Sequence, residues 1–118
     1  MIKDKSWTKT FKNAFNGCAY AFRTQRNFKV HLILSLLVLF FSWFFKITRG
    51  EFLFLLAAII FGLVIEMANT AFEKTVDLVT EDFNPKAKIA KDISAGMMLV
   101  AAIGLTILAI FIFAPHIL

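Results

Sequence analysis

Four polar side chains recur at helical spacing in the middle of the chain: Glu66, Asn69, Glu73 and Asp77. At about 100° per residue they fall within roughly 80° of one another, in a stripe about 16 Å tall. Met67, Ala68, Ala71, Phe72 and Val76 fill the other faces. Three carboxylates and an amide on one face can hold a divalent cation through hard oxygen donors or take a proton from an arriving hydroxyl. Downstream, Lys86, Lys88 and Lys91 offer cations that phosphates could meet. Phosphoryl transfer uses that combination of metal, cations and base. Proton relays and ion pathways also use acids in membranes, and spacing alone leaves all three open.

The depth of the stripe matters as much as its spacing. It follows directly on an apolar run, 52–65, with no Pro or turn residue between them. That run holds 14 residues, whereas a helix needs about 20 to cross a hydrocarbon core. A spanning helix must therefore continue to roughly Ala71 or Phe72, which puts Glu66 and Asn69 a turn or more inside the boundary. An ionisable group there is costly and usually functional. The alternative is a helix that ends near Ile65, with the acids forming a solvated extension.

Other chemistries find no support. None of the five glycines opens a G-x-x-x-x-G-K-[ST] run, and neither G-x-S-x-G nor H-E-x-x-H occurs. Two distant histidines and one cysteine do not make a zinc site. Cys18 is alone, so no intrachain disulfide forms, and it reads as a small packing residue. The net charge of +5 does not point to nucleic acid, because the basic residues flank apolar spans instead of forming a globular basic domain.

The elements that would carry the stripe are helices. The chain is 59% hydrophobic with 15 Phe, far above a soluble domain, and 118 residues make one domain, 1–118. In the segment 2–27, Trp7, Phe11, Phe15, Cys18 and Phe22 step by 4, 4, 3 and 4 among basic residues. That pattern predicts an amphipathic helix lying on the bilayer surface. The first spanning helix is expected over 28–45, with His31 as an interfacial or helix-packing residue. Residues 46–50 leave only a short turn, so the second helix, 51–79, returns antiparallel. Gly62 lies one turn below Glu66 and suits the close approach of a neighbouring helix or a lipid. Asn84 as N-cap with Pro85 at the first helical position opens a third helix, spanning over 93–113, which Pro115 should end.

The motif Glu-x-x-Asn-[Ser/Thr]-Ala-x-Glu-x-x-x-Asp resembles the signature of the small prokaryotic integral-membrane lipid kinases, the diacylglycerol kinase and undecaprenol kinase family. Further matching runs are Phe11-Lys-Asn13-Ala14-x-x-Gly17, Arg26-Asn27-Phe28-Lys29-x-His31 and Ala90-Lys91-Asp92-x-x-Ala95-Gly96. The resemblance implies an all-α membrane protein, a surface helix plus three spanning helices, assembled as a homotrimer with sites between subunits. It implies ATP and Mg²⁺ as co-substrate and cofactor, a membrane lipid alcohol as acceptor, and a bacterial cytoplasmic membrane as location. By resemblance Glu66 is the general base and Glu73 a metal ligand, while Asn69, Asp77, Lys91 and Asp92 lie near the nucleotide. The loop Asp82-Phe83-Asn84 and Asn13 correspond in position to nucleotide-side groups. One position departs from the family pattern: Gln25 stands where the family has a second metal-binding Glu. An amide can give Mg²⁺ a neutral oxygen but no charge, so the exchange is either harmless or weakens metal binding and lowers activity.

The commitment from sequence is a lipid kinase, with undecaprenol the expected acceptor and diacylglycerol the alternative. A non-catalytic membrane packing subunit or an ion conduit is the reading from another class. Orientation follows from Lys and Arg: seven up to Lys29 and four over 74–91, against two in the turn 46–50 and none after Lys91. The N-terminus and the acidic stripe are then cytoplasmic and the C-terminus is outside. Reporter fusions at the two ends should therefore read opposite sides of the membrane. Both ends on one side would remove a span and with it the shared catalytic face.

Overall fold

The computed structural model describes residues 6–118 and is helical throughout its four elements: α1 (Trp7–Thr24), α2 (Arg26–Phe44), α3 (Arg49–Val79) and α4 (Pro85–Ile117). The start of the expected surface helix at residue 2, with Lys3 and Lys5, lies outside the described residues. Three helices, α2, α3 and α4, are long and apolar enough to cross a membrane. With 31 residues, α3 is about 46 Å long, so a hydrocarbon core of about 30 Å leaves several turns outside it. The helix does not end at Ile65; it carries the acidic stripe on without interruption to Val79.

Helix α3 is the centre of the bundle, packed most extensively on α4 and also on α2. Its buried set is small and unusual. Leu55, Phe28, Ala21 and Ile112 are buried beside Ser35, Ser42, Asn69 and Ser94, while most of the Leu, Ile and Phe side chains point outward. A water-soluble domain sorts its residues the other way. In lipid the tails are as apolar as leucine, so small and hydrogen-bonded residues take the helix contacts. Ser35 donates to the His31 carbonyl at 2.8 Å and Ser42 to the Val38 carbonyl at 2.7 Å, so neither hydroxyl is orphaned.

Local chemistry sets each boundary. Gln25 is the one non-helical residue between α1 and α2, with φ −105° and ψ 109°. It ends α1 at Thr24, three residues before the expected limit. At the other end of α2, Lys46 takes a left-handed φ of 53°. There its N–H reaches the Trp43 carbonyl and the Ile47 N–H the Ser42 carbonyl, each at 3.3 Å. These two bonds close a Schellman turn on a non-glycine residue, a conformation that costs roughly 1–2 kcal/mol. Thr48 and Glu51 follow at once as a reciprocal capping box that starts α3. Asn84 caps α4 as expected, its Oδ1 accepting from the N–H groups of Lys86 and Ala87.

Two expectations are corrected. Pro115 does not end the third helix; α4 runs through it to Ile117. Only two residues of α4 follow the proline, and the Leu118 N–H still closes on the Ala114 carbonyl at 3.0 Å. Cys18 is exposed, not packed, because α1 buries only Ala21.

His31 is a helix-packing residue. Its ring lies on Gly62 of α3, so a Cβ at Gly62 would collide with the imidazole and stand 3.1 Å from Leu105 Cδ1 of α4. Overpacking of this kind typically costs about 1–3 kcal/mol. Gly62→Ala should lower the unfolding temperature in detergent, and adding His31→Ala should recover much of the loss. Additive losses in the double variant would show that the ring is not the obstacle.

Candidate active site

The predicted face of α3 is real, and its environment changes along its length. Glu66 is partly buried, Asn69 is 8% exposed, Glu73 is exposed and Asp77 partly so. Asn69 is held on both sides. Its Oδ1 accepts from the Ser94 hydroxyl of α4 at 2.6 Å, and its Nδ2 donates to Glu73 Oε1 at 3.1 Å. A buried amide left unpaired would cost about 1–3 kcal/mol. Satisfying it from α4 fixes the rotation of α3 against its neighbour.

A second tie joins the same helices one turn further on. Lys91 Nζ meets Asp77 Oδ1 at 2.6 Å, and Lys88 meets Asp92 at 2.6 Å along α4. The members of both pairs are between 43% and 63% exposed, so the pairs add little to stability. Such charges can exchange partners when a phosphate arrives. Helix α1 approaches through Tyr20, whose ring centroid lies 5.7 Å from Lys74 Nζ. Hydrogen bonding to Lys74, then attraction from its charge, lowers the Tyr20 hydroxyl from its ordinary pKa.

Below Asn69, Glu66 opens onto an apolar groove of about 580 Å³ formed by α2, α3 and α4. His31, Glu66 and Met98 line one end, and Phe113 and Ile117 line the other. Met98 to Ile117 along α4 is about 28 Å, close to the hydrocarbon thickness. The groove can take an extended alkyl chain with its polar end at Glu66.

The remaining predicted residues are dispersed. Asp82 and Phe83 are exposed in the loop before α4, and Asn84 is engaged as its N-cap. Asn13 is exposed on α1. Gln25 turns back to its own chain, its Nε2 donating to Thr24 Oγ1 at 3.1 Å, and among the described residues no hydrogen bond joins it to Glu73. Sequence reasoning gave Ser94 no part in the site, although its place two residues after Lys91-Asp92 was a positional clue. It also missed the contact of His116 Nε2 with Glu51 Oε1 at 3.1 Å, which ties the end of α4 to the start of α3.

The donor set fits Mg²⁺. Among the described residues no three His, Cys, Asp or Glu side chains converge. Mg²⁺ needs no such cage, being held by one or two carboxylates together with phosphates and water. Glu73 is exposed, and its Oε1 accepts from Asn69.

An all-helical protein with three apolar spans, one of them carrying an acid stripe, is a polytopic membrane protein. The sequence profile of the prokaryotic diacylglycerol kinase family matches residues 12–113. Among curated proteins, an undecaprenol kinase of Bacillus subtilis is 38% identical over 91% of this chain and 87% of its own length. A diacylglycerol kinase of Synechocystis is 34% identical over 92% of this chain and 63% of its own length. One from Pseudomonas aeruginosa is 30% identical over 77% of this chain and 74% of its own length. The chain belongs to the prokaryotic diacylglycerol kinase family. It is a lipid kinase, a phosphotransferase with a lipid alcohol as acceptor.

Proposed function

We propose that the chain transfers the γ-phosphoryl group of ATP, with Mg²⁺, to the hydroxyl of undecaprenol in the bacterial cytoplasmic membrane. The observation that carries this is the Glu66 carboxylate at the end of an apolar groove, with the Asn69–Glu73 pair on the same face above it. The likeness to the Bacillus subtilis undecaprenol kinase favours a polyprenyl acceptor. Diacylglycerol is the second reading, favoured by the relatives that carry that name.

In this reading the acceptor lies along the groove with its hydroxyl at Glu66. That carboxylate takes the hydroxyl proton as the lipid oxygen bonds to the γ-phosphorus. The bond from the γ-phosphorus to the bridging oxygen breaks, and ADP leaves with that oxygen. Glu73, and Gln25 through a neutral oxygen, would hold Mg²⁺, which when bound draws off charge from the β- and γ-phosphate oxygens. Asn69, Asp77, Lys91, Asp92, the loop residues Asp82, Phe83 and Asn84, and Asn13 lie on the nucleotide side. The lysines there offset phosphate charge, and the apolar groove keeps water from the hydroxyl.

Three copies form the active assembly, with α1 on the cytoplasmic surface and the N-terminus inside. Two features support this. Cβ atoms placed on Gly96 or Gly104 of α4 would meet nothing within 4 Å in one chain, which leaves room for a second helix to approach closely. Trp7, Phe11 and Phe15 of α1 are exposed beside Lys9 and Lys12, as a surface helix in lipid headgroups requires.

Purified protein given labelled ATP and extracted lipids should label a polyprenyl alcohol. Labelling of diacylglycerol alone would replace the acceptor, and no labelling with intact protein would remove the reading. The two carboxylates should part in phenotype. Glu66→Gln should lower turnover about 10²–10⁴-fold, the usual loss with a general base, while the protein stays folded. Glu73→Gln should raise the Mg²⁺ needed for half-maximal activity, and Gln25→Glu should lower it. Superimposed Mg²⁺ titrations would count against both metal-side assignments.

A further inference from the structure

Ser94 stands on α4 with its side chain 4% exposed, facing the acidic stripe of α3. Its hydroxyl donates to Asn69 Oδ1 at 2.6 Å, and Asn69 Nδ2 donates to Glu73 Oε1 at 3.1 Å. The direction of this sequence of bonds is fixed at both ends. An ionised carboxylate accepts only, so the amide must turn its NH₂ toward Glu73. The opposite amide orientation would set two bare acceptors against each other. At the other end the Ser94 hydroxyl supplies the proton that makes Oδ1 the favoured atom to bury against α4. Alanine or glycine would meet the packing demand of this position equally well. The hydroxyl adds an interhelical bond that they could not make.

We propose that Ser94 is a positioning residue for the Glu73 carboxylate, acting through the amide of Asn69. The inference rests on the reading of Glu73 as the metal-side carboxylate. With Oε1 held by Asn69, Glu73 presents Oε2 in one orientation. Without the Ser94 hydroxyl, Oδ1 is a buried acceptor lacking its partner, and the amide loses the contact that selects its rotamer. Glu73 then samples several orientations, and the metal–nucleotide complex must order it on binding. The lipid end of the site, around Glu66, does not depend on this bond.

The test reads metal binding directly. Wild type, Ser94→Ala, Ser94→Thr and Glu73→Gln are purified in lipid nanodiscs with a non-hydrolysable ATP analogue, and bound Mn²⁺ is measured by electron paramagnetic resonance. Ser94→Ala should weaken Mn²⁺ binding about five-fold, the scale of one lost hydrogen bond. The KM for the lipid acceptor should stay unchanged, and Ser94→Thr should bring Mn²⁺ binding back to within about two-fold of wild type. In a Glu73→Gln background, Ser94→Ala should weaken binding no further. If Ser94→Ala lowers thermal stability but leaves Mn²⁺ binding unchanged, while Glu73→Gln weakens it, Ser94 only packs helices and the proposal is overturned. If Glu73→Gln itself leaves Mn²⁺ binding unchanged, the metal-side reading of Glu73 fails, and the role of Ser94 falls with it. Should Ser94→Ala not yield folded protein, Ser94→Cys keeps the size, weakens the donor and carries the same comparison.

Discussion

Asn69 lies between α3 and α4 with almost no solvent access, and its amide has two polar ends to satisfy. In hydrocarbon no water can do that, so the partners must come from protein. Ser94 satisfies one end from the neighbouring helix and Glu73 the other from the same helix. The rotation of α3 about its axis is thereby set where the acids emerge. Glu66 falls on the groove below, and Asp77 falls within reach of Lys91 above. A rotation that broke the amide contacts would also carry the carboxylates away from α4.

The rest of the bundle tolerates an interior in which half the buried side chains are polar because its solvent is lipid. Exposed Leu, Ile and Phe side chains need no burial, and the helices meet through Gly62, Ser35, Ser42 and Ser94. The opposite end of the bundle is secured by other means. Phe45 and Phe113 rings lie 6.2 Å apart, and His116 meets Glu51, which the Thr48 cap already holds. Polar ties at both ends of α4 fix its register against α3, and the groove runs between them.

Much of this could be read from the residues. The unbroken run from the apolar segment into Glu66, Asn69, Glu73 and Asp77 predicted one helix and one face, and α3 has both. Asn84-Pro85 predicted a helix start because capping is local chemistry. What escaped was non-local or depended on position within an element. Pro115 is a helix breaker by type, yet it lies so near the end of α4 that the helix absorbs it. Ser94 looks like any small residue until the helix opposite it is known, because a 25-residue separation carries no periodic signal. The partner of His116 lies 65 residues away, at the start of α3. Gln25 is an instructive middle case. Its place at the joint of α1 and α2 follows from the backbone, while its amide bonds to Thr24 and, among the described residues, not to Glu73.

The account depends on α3 crossing the hydrocarbon boundary within its acidic stripe, so that Glu66 meets a lipid hydroxyl while Asp77 meets water. Spin labels on exposed positions of α3, at Val64, Phe72 and Val79 in a Cys18→Ala background, measure that depth through their access to oxygen and to a water-soluble nickel complex. The account predicts a label at 64 shielded from nickel, a label at 79 open to it, and the crossover near 72. Equal nickel access at 64 and 79 would put the stripe wholly in water and contradict it.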